Sequence, residues 1–265
     1  MPCFFPLAAR RSRHCVLALI SLLLAVPMLS ASGRAADLTI LTAGAYKPVL
    51  LDLIPDFQTR TGDRIEITND TAGGVAARIE RGEEVDLVVL PMPALEALAA
   101  KKRIMAGTAV PLAKSGIGVV VKAGMPKPDI STVEAFKATL LAAPSIAYID
   151  PAAGGSSGIY LAKLFERLGI AEALKRKSVL VPGGLTASRV VNGEATLALQ
   201  QISELRAVRD VIFVGPLPEA IQNYTIYAGG IPAASRKPDA AKALLAYLHG
   251  EAALKTLAAR DLEKP

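Results

Sequence analysis

Asp150-Pro151-Ala152-Ala153-Gly154-Gly155-Ser156-Ser157-Gly158-Ile159-Tyr160 lies between an apolar run, Ile146–Ile149, and an amphipathic run, Ile159–Leu168. The order is strand, glycine-and-hydroxyl turn, helix. Such a turn sets free backbone N–H groups and the hydroxyls of Ser156 and Ser157 at the positive end of a helix dipole, where an anion is stabilised. Two more turns share this build: Thr71-Ala72-Gly73-Gly74 before the run Val75–Ile79, and Gly183-Gly184-Leu185-Thr186 before Ala187. Each alone is equally well a helix cap, with Thr71 or Thr186 as N-cap. Together they suit one cleft that receives all three.

The chain on either side sets the architecture. Leu38–Leu41 is β-like and ends at Thr42-Ala43-Gly44-Ala45; Pro48 then opens a helical stripe of Val49, Leu50, Leu53, Ile54 and Phe57. Pro55 interrupts that stripe, so a kink or early end is expected there. Ile65–Thr68 alternates as a strand, and Val85–Leu90 is an apolar strand followed by Pro91 and an alanine-rich helix to Lys101. This alternation predicts a parallel sheet covered by helices, with ligands beyond the carboxyl ends of its strands, here at Gly44, Thr71 and Pro91.

At Gly116–Lys122 the rhythm changes: a strand leads to the rigid loop Gly124-Met125-Pro126-Lys127-Pro128 and a second α/β series follows. It holds a helix from Thr132 to Leu141, the Ile146–Asp150 strand, a helix after Gly158, strand Val179–Val181, a helix from Ala187 to Asn192, and strands Thr196–Gln200 and Val211–Val214. Tyr224–Tyr227 is β-like again, and two helices close the chain. The expected fold class is α/β, two doubly wound lobes joined by a two-strand hinge. Lobe I takes 36–115 and 224–265, and lobe II takes 116–223. Such a build binds between lobes and closes by hinge motion.

Residues 1–35 read as a secretory signal peptide: basic Arg10, Arg11, Arg13 and His14, an apolar run Val16–Leu29 too short to span a bilayer, and Gly33 and Ala35 ahead of a cut before Ala36. Periplasmic localisation follows. Removing that segment takes away four arginines and no acid, so the formal charge falls from +6 to +2, which weakens any case for nucleic acid. Cys3 and Cys15 leave with it, and the remaining chain has no thiol for disulfides, iron–sulfur clusters or zinc. No metal and no cofactor is expected.

Gly154-x-Ser156-x-Gly158 spells a serine-hydrolase elbow, the alternative reading. The elbow needs its serine directly after the strand and a histidine on a loop, yet Pro151–Gly154 intervene and His249 ends a helical run before Gly250. No Lys-Ser/Thr follows the glycines, so the turn is not a P-loop. The expectation is a binding protein, not an enzyme. Gln200-Gln201 ends an apolar strand and is either satisfied in the core or aimed into the cleft. Arg189 suits a carboxylate or a helix surface, and Tyr224 with Tyr227 suits sheet alternation better than an iron site.

The chain resembles the periplasmic molybdate-binding protein family, part of the two-lobed extracellular solute-binding proteins. The likeness runs through nearly all the chain after the leader. It is carried by Leu41-Thr42-Ala43-Gly44-Ala45, by Val75-Ala76-Ala77-Arg78-Ile79-Glu80-Arg81-Gly82 with Val85-Asp86-Leu87, and by Asp150-Pro151 with Gly158-Ile159-Tyr160. Asn192-Gly193-Glu194-Ala195 and Ser203-Glu204 extend it. The resemblance implies the type II periplasmic binding fold and a monomer that holds a small anion and delivers it to the membrane permease of an ABC transporter. A sensor without transport is the other role it allows. On this basis ligand-binding positions fall at Ala45, Thr71, Ala72, Ser156, Ser157 and Gln201, with Gly184 added from its turn. Ala45 stands where the family presents a serine and Gln201 where it presents a tyrosine. The implied ligand is therefore an oxyanion, such as molybdate or tungstate, or an organic acid.

Overall fold

The computed structural model describes residues 36–265, and the expected leader lies outside the described residues. The chain builds β1 (Asp37–Ala43), α1 (Lys47–Thr61), β2 (Arg64–Asp70), α2 (Ala72–Glu80), β3 (Leu87–Pro91), α3 (Met92–Ala100) and β4 (Val110–Ser115). It continues as β5 (Ile117–Lys122), α4 (Val133–Ala142), β6 (Ile146–Ile149), α5 (Ser156–Arg167), α6 (Ala171–Lys175), β7 (Ser178–Val181) and α7 (Ala187–Val191). Then come β8 (Leu197–Gln201), α8 (Ile202–Leu205), β9 (Val211–Pro216), β10 (Thr225–Gly230), α9 (Pro238–His249) and α10 (Glu251–Ala259).

Two five-stranded sheets result, ordered β2-β1-β3-β10-β4 and β7-β6-β8-β5-β9. In the first, β1 is parallel to β2 and β3, while β10 is antiparallel to β3 and β4. In the second, β6 is parallel to β7 and β8, and β5 runs antiparallel to β8 and β9. Both sheets are thus mixed, and the expected parallel pattern holds only for the strands linked through helices. β3 and β8 are buried at every position, as strands covered on both faces must be. One core gathers Leu41, Tyr46, Val49, Leu87 and Leu244 around the first sheet, and another gathers Phe136, Ile146, Leu161 and Leu197 around the second. Among the described residues no helix is long and apolar enough to cross a membrane.

Three expectations change. α1 does not stop at Pro55 but runs to Thr61. Its stripe Val49, Leu50, Leu53, Ile54 and Phe57 is buried on both sides of the proline, and Pro55 itself faces solvent. Burial of five apolar side chains outweighs one missing hydrogen bond. β4 was not foreseen, because Pro111 and Lys114 break its apolar pattern; as an edge strand it tolerates both. α5 begins at Ser156 rather than after Gly158, so both serines belong to its first turn.

The chain passes between the sheets at Gly116 and again over 217–224, just ahead of β5 and β10. Gln222 ties the two passages together. Its Oε1 accepts from the Ile117 N–H at 2.9 Å and its Nε2 donates to the Ile117 carbonyl at 2.9 Å. Gln222→Ala leaves that N–H without a partner, and a loss of about 1–2 kcal/mol is expected from the shift of the urea midpoint.

Candidate functional site

The carboxyl ends of β1, β2, β6 and β8 converge between the two sheets. They enclose a cavity of about 30 Å³. Its walls from the first sheet's side are Ala43, Gly44, Ala45, Asn69, Asp70, Thr71, Ala72 and Tyr227, and from the second Ile149, Gly155, Ser156, Ser157, Gly184 and Glu204. Parallel strands put their following turns at one edge, so both series deliver their turns to the same place.

The lobes are closed on each other by direct contacts. The Thr71 hydroxyl donates to the Ala153 carbonyl at 2.5 Å while accepting from the Gly74 N–H at 3.0 Å. The Gly73 N–H donates to the Gly154 carbonyl at 3.0 Å, and the Ser203 hydroxyl donates to the Ala45 carbonyl at 2.8 Å. The Ser156 and Tyr227 hydroxyls share a bond of 3.2 Å. Gly154 sits at φ 76°, and a Cβ there would stand 2.8 Å from the Gly73 Cα. Only two glycines allow the backbones to approach this closely.

Two helix starts face the cavity, and they differ. α2 is capped by Thr71, and the Asp70 carboxylate lies over its first turn, 2.4 Å from where a Cβ of Gly74 would be. α5 has no side-chain cap and no acid in its first turn. Among the described residues the N–H groups of Ser156 and Ser157 have no partner, so this first turn is the wall of the cavity with free donors.

Among the described residues no Lys or Arg lines the cavity, and the charged side chains in its wall are Asp70 and Glu204. The Lys47 ammonium stands one residue back, donating to the Asn69 Oδ1 at 2.6 Å. Glu204 reaches from the second lobe into the turn after β1. A Cβ on Gly44 would lie 2.3 Å from its Oε1, so only glycine leaves room for the carboxyl. Burial pushes the Glu204 carboxyl up to about 8, with the neighbouring Gln200 side chain only partly opposing. Burial, with the Glu204 charge adding to it, holds the Tyr227 phenol above its ordinary range.

Of the residues nominated from sequence, Ala45, Thr71, Ala72, Ser156, Ser157 and Gly184 line this cavity. Gln201 stands behind it, its Nε2 3.4 Å from the Ser156 Oγ and 3.1 Å from the Thr225 Oγ1, with its buried Oε1 unpartnered. Gln200 is satisfied in the core: it accepts from the Thr186 N–H and hydroxyl and donates to the Gly184 carbonyl, which shapes that turn. Thr186 stands at the N-cap position of α7, but its side chain does not cap the helix, since the hydroxyl is engaged by Gln200 and the Leu199 carbonyl. Arg189 pairs with Glu194 at the surface. Tyr224 is exposed against Glu219 while Tyr227 is in the cavity, so the two do not form one site. His249 ends α9 beside the Pro111 carbonyl, and no imidazole lines the wall around Ser156.

Glu204 and Tyr227 were missed as site residues. In sequence Glu204 belongs to the turn Gln201-Ile202-Ser203-Glu204, where a first-turn acid looks like an ordinary helix cap. The available signal was positional: the residue follows a wholly apolar strand at the edge where the other turns lie.

A family described as bacterial extracellular solute-binding protein matches residues 38–260. Among curated proteins, an aconitate isomerase from Pseudomonas sp. is 36% identical over 247 residues, covering 91% of this chain and 93% of that protein. Among solved structures, the periplasmic molybdate-binding protein of Azotobacter vinelandii superposes with a TM-score of 0.73 at 18% identity, over 86% of this chain and 100% of that one. The sulfate-binding protein of Mycobacterium tuberculosis gives 0.70 at 18% identity, over 87% of each chain. At such identity the structural likeness speaks for the two-lobed fold.

Proposed function

Since the chain belongs to the family of bacterial extracellular solute-binding proteins, we propose that its cleft closes on a small organic polycarboxylate anion with the chemistry of aconitate. The observation that carries this reading is the uncapped start of α5, with Ser156 and Ser157, facing Thr71 across a closed cleft. The open first turn of α5 offers donors to one carboxylate of such a molecule, and parting of the lobes releases the Thr71 hydroxyl from the Ala153 carbonyl for another. Hydrogen bonds to a charged group contribute roughly 1.5–3 kcal/mol each. Micromolar affinity needs about 8 kcal/mol, so four or so such bonds suffice without a full cation. The closed cavity, about 30 Å³, has room for little more than water, so the ligand enters as the lobes part and the Gln222 passages flex.

Between the two ligand classes expected from sequence, the relative named aconitate isomerase favours the organic acid. Ala45 and Gln201, which supply no hydroxyl, fit the same choice. In the transport role the closed form is handed to the permease of an ABC transporter, and the signal-peptide reading of 1–35 supports an encounter in the periplasm. A second reading, turnover of the bound anion, is favoured by Glu204, because a buried carboxyl without a cation does nothing for holding a polyanion.

Isothermal titration with trans-aconitate, cis-aconitate, citrate, molybdate and sulfate tests the ligand class. Micromolar binding of a tricarboxylate with silence from molybdate and sulfate is expected. Heat from the inorganic oxyanions alone would remove the organic-acid reading.

A further inference from the structure

We propose that Glu204 is the catalytic residue of an isomerase site in this cleft, carrying a proton between two carbons of an unsaturated polycarboxylate. The inference rests on the reading that the cleft takes such a ligand, and adds a reaction and the group that performs it.

Glu204 is 8% exposed and its carboxyl is aimed into the cavity, where no Lys or Arg answers it. As a purely structural residue it is poorly chosen: a glutamine would fill the same space without the cost of burying an ionisable group. As a group that faces an anionic ligand it is worse when ionised, since like charges repel. A carboxyl that exchanges a proton with the ligand explains both features. Its surroundings fit that task. Gly44 keeps the space beside Oε1 open. Tyr227 stands across from it with a phenol held in its protonated form by burial, tied through Ser156 to Gln201. A protonated phenol donates a hydrogen bond where negative charge develops on the ligand.

The step balances without a cofactor. The Glu204 carboxylate takes a proton from the methylene next to the ligand's C=C bond. The electrons of that C–H bond form a new C=C toward the central carbon, and the old C=C pair takes a proton back from Glu204 at the far carbon. One C–H bond breaks and one forms, nothing is oxidised or reduced, and the double bond has moved to the other arm with its geometry newly set. A carboxyl pushed to about 8 is available in both forms near neutral pH, as this exchange requires.

The test incubates the purified protein with trans-aconitate in deuterated buffer, follows it by proton NMR, and titrates the same protein by calorimetry. The wild type is expected to form cis-aconitate, with deuterium on the former vinyl carbon in the fraction of turnovers in which the Glu204 proton exchanges with solvent between the two transfers, and with kcat/KM rising with pH toward about 8. Glu204→Gln is expected to lower kcat by about 100-fold or more while aconitate still binds within a few-fold of the wild type. Tyr227→Phe, which keeps the ring, is expected to lower kcat by about tenfold with KM little changed. Wild-type binding with neither isomerisation nor exchange overturns the isomerase and leaves the binding reading standing. Turnover by a folded Glu204→Gln variant at the wild-type rate overturns the assignment to Glu204. Absence of any aconitate binding overturns the binding reading beneath both.

Discussion

Gly158→Ala is expected to cost about 3 kcal/mol, the upper range for overpacking, and to abolish ligand binding as it does so. A Cβ on Gly158 would stand 2.1 Å from the Ile149 carbonyl oxygen and 2.9 Å from its carbon. Both are backbone atoms of β6, a strand buried at every position, and neither can turn aside. The first turn of α5 must therefore lift off the sheet. That turn carries the N–H groups of Ser156 and Ser157 into the cavity, so the same displacement removes the anion-accepting wall. For a chain of this size the loss corresponds to a drop of roughly 6–12 °C in thermal midpoint. Scanning calorimetry with and without aconitate checks it. Ser156→Ala is the companion variant: it removes a hydroxyl from the wall without a clash but leaves the buried Tyr227 phenol without that partner, so weaker binding is expected with a smaller stability loss of about 1 kcal/mol. A Gly158→Ala protein that melts within a degree or two of the wild type would show that α5 is not seated on Ile149.

The second large effect concerns pH. The stability of the wild type, relative to Glu204→Gln, is expected to fall on the order of 4 kcal/mol as pH rises from about 4.5 to about 8. The direction follows from proton binding. The folded carboxyl holds its proton up to about 8, whereas an exposed carboxyl in the unfolded chain loses it near the ordinary value of 4.5. Between the two the folded state binds more protons, so raising pH favours unfolding. The contribution is fully present below the unfolded value and gone above the folded one. Parting of the lobes lets water reach the carboxylate, so the early response to high pH is opening of the cleft. The titratable groups around Glu204 are Tyr227 on β10, Tyr46 in the turn after β1, and Asp70 across the cavity. Both phenols lie above their usual range through burial and keep their protons throughout this window. Asp70 is common to both proteins and cancels in the difference. Urea unfolding at pH 5, 6.5 and 8 measures it; parallel profiles for the two proteins would contradict a buried, unpaired carboxyl.

These two residues also mark how far local patterns reach. Gly158 belongs to a strand–turn–helix whose sense is legible from sequence, because apolar runs and glycines record the local backbone. Its contact with the Ile149 carbonyl is legible only once α5 is laid on β6. Pro55 shows the converse: of the kink or early end that a local breaker rule allows, the early end is ruled out by a buried stripe on either side of the proline. β4 was lost for a related reason, since Pro111 and Lys114 are tolerated only because the strand lies at a sheet edge. Thr186 fits a capping side chain or a ligand contact equally well from its sequence neighbours, and its hydroxyl does neither. The amide that engages it comes from Gln200, across a turn, a helix and a strand.

The alternation of strands and helices, the change of rhythm at Gly116 and the glycine-hydroxyl turns determine by themselves a two-lobed α/β chain with an anion-friendly edge. Those features depend on periodicity and backbone freedom, which residues express within a few positions of themselves. What only the tertiary structure decided is which turn keeps free donors and what charge faces them. α2 and α5 look alike in sequence, yet one is capped and shadowed by Asp70 and the other is open. Glu204 looks like any first-turn acid until closure brings it against Gly44, a residue far away along the chain. Its burial, and hence its proton affinity, is a property of two lobes meeting, because desolvation is set by everything that surrounds a group and not by its neighbours in sequence.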